Sequence, residues 1–446
     1  KSFASQLCSQ KALYVTPYNQ LCQELIIKGH KAITLHNLMA LNITGDSCKR
    51  KKYDVSEFDT IVFEEILLYD PKLLSSIHRF IKQHDDKKII ANGDISQNLP
   101  ILFNLNNVSS QEKYLIESIN SMFPNQVILT MNKRLKEEND RQKLKSLKDD
   151  ILDLDLDVMK TFYKYGFNII DKMEDLHTTK NVPYFRSRSY KINKFVQDKI
   201  EILGDYIIFD HVCNGKTYTY KYYVGQKIVC RNTFKRKRAQ LYTNYVYEIL
   251  HINKKKREIT VKSIYKEDEI FITFKQLKYC TLPYSSTCHS VQGTTINEPY
   301  TIFDTNIVYA DRRWIWTAIT RSTKLEDITI FKHSDTECEA LERAKYKQYF
   351  DLKIHNYVDQ DINAGRIKKT KEGILYKNQI IDDYINYKWF MEQDDLSCYM
   401  CGETFDFELK DSHVVSNMTC DRLDNKMYHS KTNCKLCCLS CNVAKK

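Results

Sequence analysis

Short apolar runs punctuate the first 130 residues: ALYVTP, KAITLHNLM, FDTIVFEEI, KKIIANGD and QVILTMNKR, with amphipathic stretches between them. Runs of this length separated by helical segments predict buried strands joined by crossover helices, hence a parallel α/β sheet. Residues 131–204 begin a second lobe and include a charged, helix-patterned segment from about 135 to 180, whose acidic patch DDILDLDLD reads as a solvated face. From 205 to 280 the pattern changes to strict alternation with turn signals, as in YIIFDHVCNGKTYTYKYYVGQKIVC, which predicts a small antiparallel barrel inserted into the second lobe. Strand and helix alternate again over 281–335, at TIFDTN and WIWTAITRST. A Lys- and Tyr-rich stretch, 336–392, reads as a basic helical linker to a Cys-rich end at 393–446.

Composition narrows the partners. At 446 residues the chain exceeds one ordinary core, so two to four domains are expected. No apolar run is long enough to span a bilayer and no charged-then-apolar leader precedes the first strand, which reads as a soluble intracellular protein. Lys and Arg exceed Asp and Glu by 68 − 57 = 11, alongside 30 Tyr and 20 Phe, a mixture suited to a polyanion with stackable bases. The runs FKRKR and NKKKRE fit either phosphate contact or a solvated hairpin turn. Low Gly and Pro beside abundant Lys, Asn, Ile and Tyr resembles coding by an A+T-rich genome.

Seven of the 15 Cys lie between Cys398 and Cys441. Clustering of this kind in an intracellular chain points to metal, and the pairs CYMC and CLSC can each put two thiolates on one tetrahedral zinc. Cys398, Cys401, Cys438 and Cys441 are the expected ligands. Cys434 and Cys437 form a competing pair in CKLCCLSC, so spacing alone leaves the register open. A lone Cys288–His289 pair is a poor zinc signal.

Several motifs carry phosphoryl-transfer chemistry. FDTIVFEEI ends a strand on two carboxylates, an arrangement that can hold a magnesium ion with one acid and orient water with the next. IIANGDISQNLP repeats the design, with Gln97 placed to sense a γ-phosphate. LTMNKRL presents Arg134, STCHSVQGTT presents His289, Gln292 and Gly293, and WTAITRST presents Arg321. Each is weak alone; their order and spacing are informative together.

In that order the motifs resemble superfamily 1 helicases of the RecD-like, 5′-to-3′ branch, over roughly residues 1 to 335. The resemblance implies two recombinase-A-like lobes that sandwich ATP and move single-stranded or forked DNA. It implies that Lys1 and Ser2 end a phosphate-binding loop whose glycines lie upstream, Lys1 on the phosphates and Ser2 on magnesium. Glu64 would hold the magnesium and Glu65 would be catalytic, with Glu64 standing where the family usually has Asp. Gln97, Arg134 and Arg321 would act on the transferred phosphoryl group, and Gln292 and Gly293 would couple nucleotide to strand. Thr16, Pro17, Asn19, His36 and His289 match positions that touch DNA.

The C-terminal end, TCDRLDNKMYHSKTN between the Cys pairs and NVAKK after them, resembles zinc-stapled HNH nucleases of the recombination endonuclease VII kind. That implies a ββα module in which Asp421 and Asn442 bind a catalytic magnesium and Asn433 braces the loop. Arg422 stands where the family provides a His, so His429 or His413 would have to serve as general base. A zinc knuckle that only binds DNA is the alternative for this segment, as a helicase-like scaffold without ATP hydrolysis is for the body. The fusion, with the coding bias, suggests a large DNA virus as source.

Overall fold

The computed structural model describes residues 11–42, 46, 52–98, 108–129, 134–135, 137–236, 239–264, 268–393, 397–403, 405 and 418–445. Lys1, Ser2 and His413 lie outside the described residues. The chain divides into two compact units, one holding residues 1–100 and 115–334, the other residues 101–114 and 335–446.

The first unit opens with strand β1 (Ala12–Thr16), helix α1 (Asn19–Ile27), strands β2 (Lys31–Thr34) and β3 (Thr60–Phe63), helix α2 (Pro71–Gln83) and strand β4 (Lys88–Ala91). These strands form a wholly parallel sheet in the order β2-β1-β3-β4. Every residue of β1 and β3 is buried, as parallel strands covered on both faces require. Helix α2 shows how local sequence sets an element. The Asp70 carboxylate accepts from the Leu73 N–H at 2.8 Å, Pro71 fills the first helical position, and Leu74, Ile77 and Phe80 form the buried stripe.

One expected strand is not formed among the described residues. Gln126–Leu129 is irregular, with Val127 and Ile128 each 85% exposed, although QVIL has strand character. A strand needs a ladder to join. Among the described residues β4 pairs only with β3, and nothing extends the sheet toward this segment.

After helix α3 (Glu138–Leu152) come β5 (Asn168–Ile170) and β6 (Lys180–Val182), two strands that the charged pattern of this region conceals, and helix α4 (Arg186–Asp198). The insertion follows. Hairpin β7 (Tyr206–Cys213) and β8 (Lys216–Tyr223) leads to β9 (Lys227–Cys230), a short hairpin β10 (Phe234–Arg236) and β11 (Ala239–Leu241), then β12 (Val246–Asn253), β13 (Glu258–Ser263), β14 (Glu269–Thr273) and β15 (Cys280–Thr281). Five of these make an antiparallel sheet in the order β14-β13-β12-β9-β15 around a core rich in tyrosine, with Tyr220, Tyr222, Tyr245 and Tyr247 buried. The NKKKRE run is the exposed turn between β12 and β13, and Lys254 spends its charge on Asp205 at 3.0 Å.

The chain then returns through helix α5 (Cys288–Val291), β16 (Tyr300–Ile302), helix α6 (Arg312–Ile319) and β17 (Ile328–Phe331). The second parallel sheet runs β5-β17-β16-β6, so strands on both sides of the insertion share one core with α3 and α6.

In the second unit, residues 336–392 are more than a linker. Helix α7 (Asp335–Asn363), the three-stranded sheet β18 (Lys368–Lys369), β19 (Ile374–Tyr376) and β20 (Gln379–Ile381), and helix α8 (Tyr387–Met391) precede hairpin β21 (Met418–Arg422) and β22 (Cys434–Cys438) and helix α9 (Leu439–Ala444). Tyr349, Phe350, Tyr357, Trp389 and Phe390 share one buried cluster with Met418, Cys420 and Leu436.

Candidate functional site

The first site lies where the two parallel sheets of the first unit meet. β3 hands the chain to Glu64, whose N–H donates to the Val15 carbonyl at 2.8 Å and whose carboxylate accepts from the Asn92 amide at 3.1 Å. Glu65 follows in left-handed backbone, φ 49° and ψ 51°, an unfavourable conformation for a non-glycine residue that turns its partly exposed carboxylate out of the strand direction. At the end of β4, Gly93 packs so tightly that a Cβ would sit 2.9 Å from Ile66 Cγ2. Asp94 then accepts from the Gln97 side-chain amide at 3.2 Å and from the Ser96 N–H at 3.1 Å. This fixes Gln97 with its Oε1 buried and unpartnered.

Asn98 carries the first sheet into the second. Its N–H donates to Thr317 Oγ1 at 2.8 Å, its side-chain amide to Cys288 Sγ at 3.6 Å, and its carbonyl accepts from the Gln292 amide at 3.2 Å. Gln292 Oε1 is a second buried, unpartnered acceptor. The Tyr18 hydroxyl donates to the Gln292 carbonyl, and burial, then Glu65, push its ionisation far up, so it stays a donor. Gly293 is required twice over, by φ +84° and because a Cβ would collide with the Tyr18 hydroxyl.

Two arginines complete the site. Arg321, 1% exposed, is clamped by the Thr317 carbonyl at 2.9 Å, the Thr294 carbonyl at 3.3 Å and Thr320 Oγ1 at 3.0 Å. Arg134 donates to the Thr320 carbonyl. Burial, then the charge of Arg321, lowers the Arg134 pKa to about 10, while Glu65 and Asp94 pull the other way. Two guanidiniums thus share a largely desolvated setting with two carboxylates close by, an arrangement poised for additional negative charge. Glu64, Glu65, Gln97, Arg134, Gln292, Gly293 and Arg321 are brought to one junction.

Four of the five residues expected to touch nucleic acid occupy one edge of the first sheet, and His289 lies on α5. Thr16 ends β1, Pro17 and Asn19 follow it, and His36 follows the end of the parallel β2. Carboxyl ends of parallel strands are where such sheets bind ligands. Thr16 is buried, its hydroxyl donating to the Tyr18 carbonyl at 3.1 Å, and the Asn19 carbonyl accepts from the Tyr245 hydroxyl of the insertion at 3.5 Å. His36 is half-buried, with its pKa lowered by that burial. His289 is exposed, whereas the adjacent Cys288 is fully buried with its thiol pushed up to about 12 by desolvation, and among the described residues the pair belongs to no cluster of metal-ligating side chains.

In the second unit the four sulfurs of Cys398, Cys401, Cys438 and Cys441 lie within 4.8 Å of one another, a spacing that fits a tetrahedral zinc. The register question is thereby answered. Cys434 and Cys437 face the hydrophobic core, and burial raises each thiol to about 12. Asn433 braces the 423–433 loop, accepting from the Asp424 N–H at 2.8 Å and donating to the Asp424 and Tyr428 carbonyls at 3.0 and 3.1 Å.

Asp421 and Asn442 meet on the α9 side of the hairpin, since Asn442 bonds Thr419 and Lys445 reaches Asp421 at 2.6 Å. Tyr399 also donates to Asp421, at 2.5 Å. A divalent cation at this carboxylate would have to displace the Lys445 ammonium. His429, one of the two expected general bases, has its ring engaged by Asp361. Successive strand residues face opposite ways, and Arg422, next to Asp421, points to the side where His429 lies. There the buried Asp361 carboxylate accepts from Arg422 at 3.1 Å, Arg366 at 3.3 Å, the Tyr384 hydroxyl at 2.9 Å and His429 Nδ1 at 2.8 Å. His429 is 2% exposed and stacks on Tyr357, so its ring is packed as well as bonded.

No protein-family model matches the sequence, and no curated protein matches it. The chain is similar to solved Pif1 helicases. One structure, of two coordinating Pif1 helicases at forked double-stranded DNA, shares 14% identity over 76% of this chain and 85% of that one, TM-score 0.48. Pif1 from Bacteroides with ADP-AlF3 and single-stranded DNA shares 16% over 74% and 84%, TM-score 0.47. Pif1 from Candida albicans shares 12% over 76% and 94%, TM-score 0.46. At such values the likeness is weak, and the case for an activity rests on the residues.

Sequence reasoning missed Tyr18, Asn98 and Asp361. The first two adjoin motif residues, so proximity was an available signal. Asp361 lies 60 positions before Asp421 in a charged helix, and nothing in its surroundings along the chain marks it.

Proposed function

We propose that the first unit is an ATP-dependent motor of the superfamily 1 helicase type that acts on single-stranded DNA. What carries the reading is the approach of half-buried Arg134 to buried Arg321, with Glu65 and Asp94 acting on Arg134 and two unpartnered glutamine oxygens, at the junction of two parallel sheets. ATP with magnesium would supply the phosphoryl group and part of its charge neutralisation. Glu64 would hold the metal, the Glu65 carboxylate would take the proton of an attacking water, and Gln97 Oε1 would orient that water by accepting a hydrogen bond from it. Arg134 and Arg321 would stabilise charge on the transferred group, and Lys1 and Ser2 would complete the site from the other side. Asn98, Gln292 and Tyr18 link the two sheets directly and Tyr18 in turn accepts from Thr16, so movement at the nucleotide would reach the strand-contacting edge at Thr16. The test is ATP hydrolysis by a chain extended upstream through a glycine-rich loop, with and without oligo-dT. Strong stimulation is expected, and equal rates would sink the motor in favour of a scaffold that does not hydrolyse ATP.

For the second unit we propose a zinc-stapled ββα module of the HNH kind that contacts DNA, with Asp421 and Asn442 as the magnesium-binding pair. The four-thiolate cluster and the shared face of Asp421 and Asn442 support it. Cleavage is tested by nicking of supercoiled plasmid by the whole chain with Mg²⁺. Nicking that survives Asp421→Ala would remove the assignment, and no nicking by the wild type would leave a DNA-binding zinc module.

A further inference from the structure

A group of aromatic rings in the second parallel lobe belongs to none of the motifs above. β6 and β16 are neighbouring parallel strands, and just past their carboxyl ends the chain places Tyr184 and Phe185 on one side and Tyr309 on the other. Phe185 meets Tyr184 at 5.1 Å and Tyr309 at 5.2 Å, both edge to face, and Tyr184 rests at 5.5 Å on Trp314, which is itself 1% exposed. Trp314 is therefore a floor, and Tyr184, Phe185 and Tyr309 are left half-buried above it. The exposed Arg186 follows directly.

This group is held in place by the least solvated charges of the lobe. Asp304, fully buried and in left-handed backbone at φ 64°, accepts from the Tyr184 N–H at 2.9 Å and pairs with Arg188 at 2.7 Å and His333 at 2.8 Å. The backbone entering the aromatic group is thus fixed by a buried carboxylate with two cationic or donor partners, more restraint than a packing contact needs. The platform also has an address. Asp311 caps α6 through the Trp314 N–H at 2.6 Å, and Trp314 carries Tyr184, so the rings sit at the N-terminal end of that helix. Arg321 lies past the opposite end of α6, about 12 Å away by helical rise, which separates the rings from the nucleotide junction.

We propose that Phe185 and Tyr309, over the Tyr184–Trp314 floor, form a stacking platform for unpaired nucleobases, with Arg186 against the adjacent phosphate. The proposal deepens the motor reading and rests on it, because it names a base-binding subsite on the strand path. Half-buried rings at the carboxyl edge of a sheet, beside a free guanidinium, are the combination that binds single strands without regard to sequence. The positive balance of the chain is of the matching sign.

The test is fluorescence anisotropy with the full chain, free of nucleotide, on labelled oligo-dT and on an abasic strand of equal length. Wild type should bind oligo-dT more tightly than the abasic strand. Phe185→Ala and Tyr309→Ala should each weaken oligo-dT binding roughly fivefold or more, with little further loss on the abasic strand, while Tyr309→Phe keeps wild-type affinity. Equal wild-type affinity for the two strands overturns the platform without any appeal to variants, and so does unchanged oligo-dT binding by both alanine variants. Failure of the wild type to bind either strand would instead strike the motor reading itself.

Discussion

Arg321 and Asp361 show how much one buried charged residue decides. Arg321 spends its donors on the backbone and threonines of its own lobe, which holds the guanidinium still and leaves its charge to act across the junction. Arg321→Lys keeps the charge but loses the fork. In a chain with the complete loop, DNA-stimulated kcat should fall by roughly 10³-fold or more for Arg321→Ala, with a partial loss for the lysine variant and little change in KM for ATP. Asp361 is the counterpart in the second unit. Burial alone would raise its pKa, but hydrogen bonds from His429 and Tyr384 outweigh that and hold it below the usual carboxylate value. A depressed folded pKa means that the stabilisation is present above the unfolded value and is lost as pH falls through the folded one. Asp361→Ala, which strands two arginines, should cost the unit about 3–5 kcal/mol at neutral pH by denaturant titration. The gap between wild type and Asp361→Asn should stay flat down to about pH 5 and close only below about 4, in the ordinary aspartate range and lower.

At the scale of elements, the cysteine pairs of β22 and α9 illustrate a choice that spacing could not make. Four cysteines within eight positions offer two CxxC registers. The fold decides between them by distance: the sulfurs of Cys438, at the end of β22, and Cys441, one turn into α9, lie within 4.8 Å of those of Cys398 and Cys401, and Cys434 and Cys437 are not in that group. Cys438→Ser or Cys441→Ser should abolish stoichiometric zinc, measured by release to a chromophoric chelator, while Cys434→Ser or Cys437→Ser should retain it. Retention of zinc in the first pair and loss in the second would reverse the assignment. The segment 126–129 is the opposite case, since its residues carry strand propensity and the ladder that would use it is not formed among the described residues.

For the molecule as a whole, the division into two units sets where it should be separable. A cut at 393, suggested by the composition change, would remove Tyr349, Phe350, Tyr357, Trp389 and Phe390 from the cluster that packs on the zinc hairpin. Residues 335–446 should therefore unfold cooperatively and bind zinc as a fragment. Residues 393–446 should fail to give a cooperative transition by circular dichroism even with zinc. Equal stability of the two fragments would mean that the aromatic cluster contributes nothing to the module.

The parallel lobes, the antiparallel insertion, the four-cysteine cluster and most of the polar residues gathered at the junction of the two sheets were legible in the sequence. Each depends on local spacing: apolar runs of strand length, alternation of period two, CxxC pairs, and polar residues at strand ends. What the tertiary structure decided were relations between residues distant in the chain. It chose which four cysteines cluster, engaged His429 with Asp361, made the supposed linker part of the core that includes the β21–β22 hairpin, and joined the two sheets through Asn98 and Tyr18. The physical reason is common to all of these. A strand's two faces and a helix's buried stripe are written in local periodicity, but which face meets which partner depends on the packing of whole elements, and buried charges such as Asp361 and Asp304 acquire their roles only from neighbours that folding supplies.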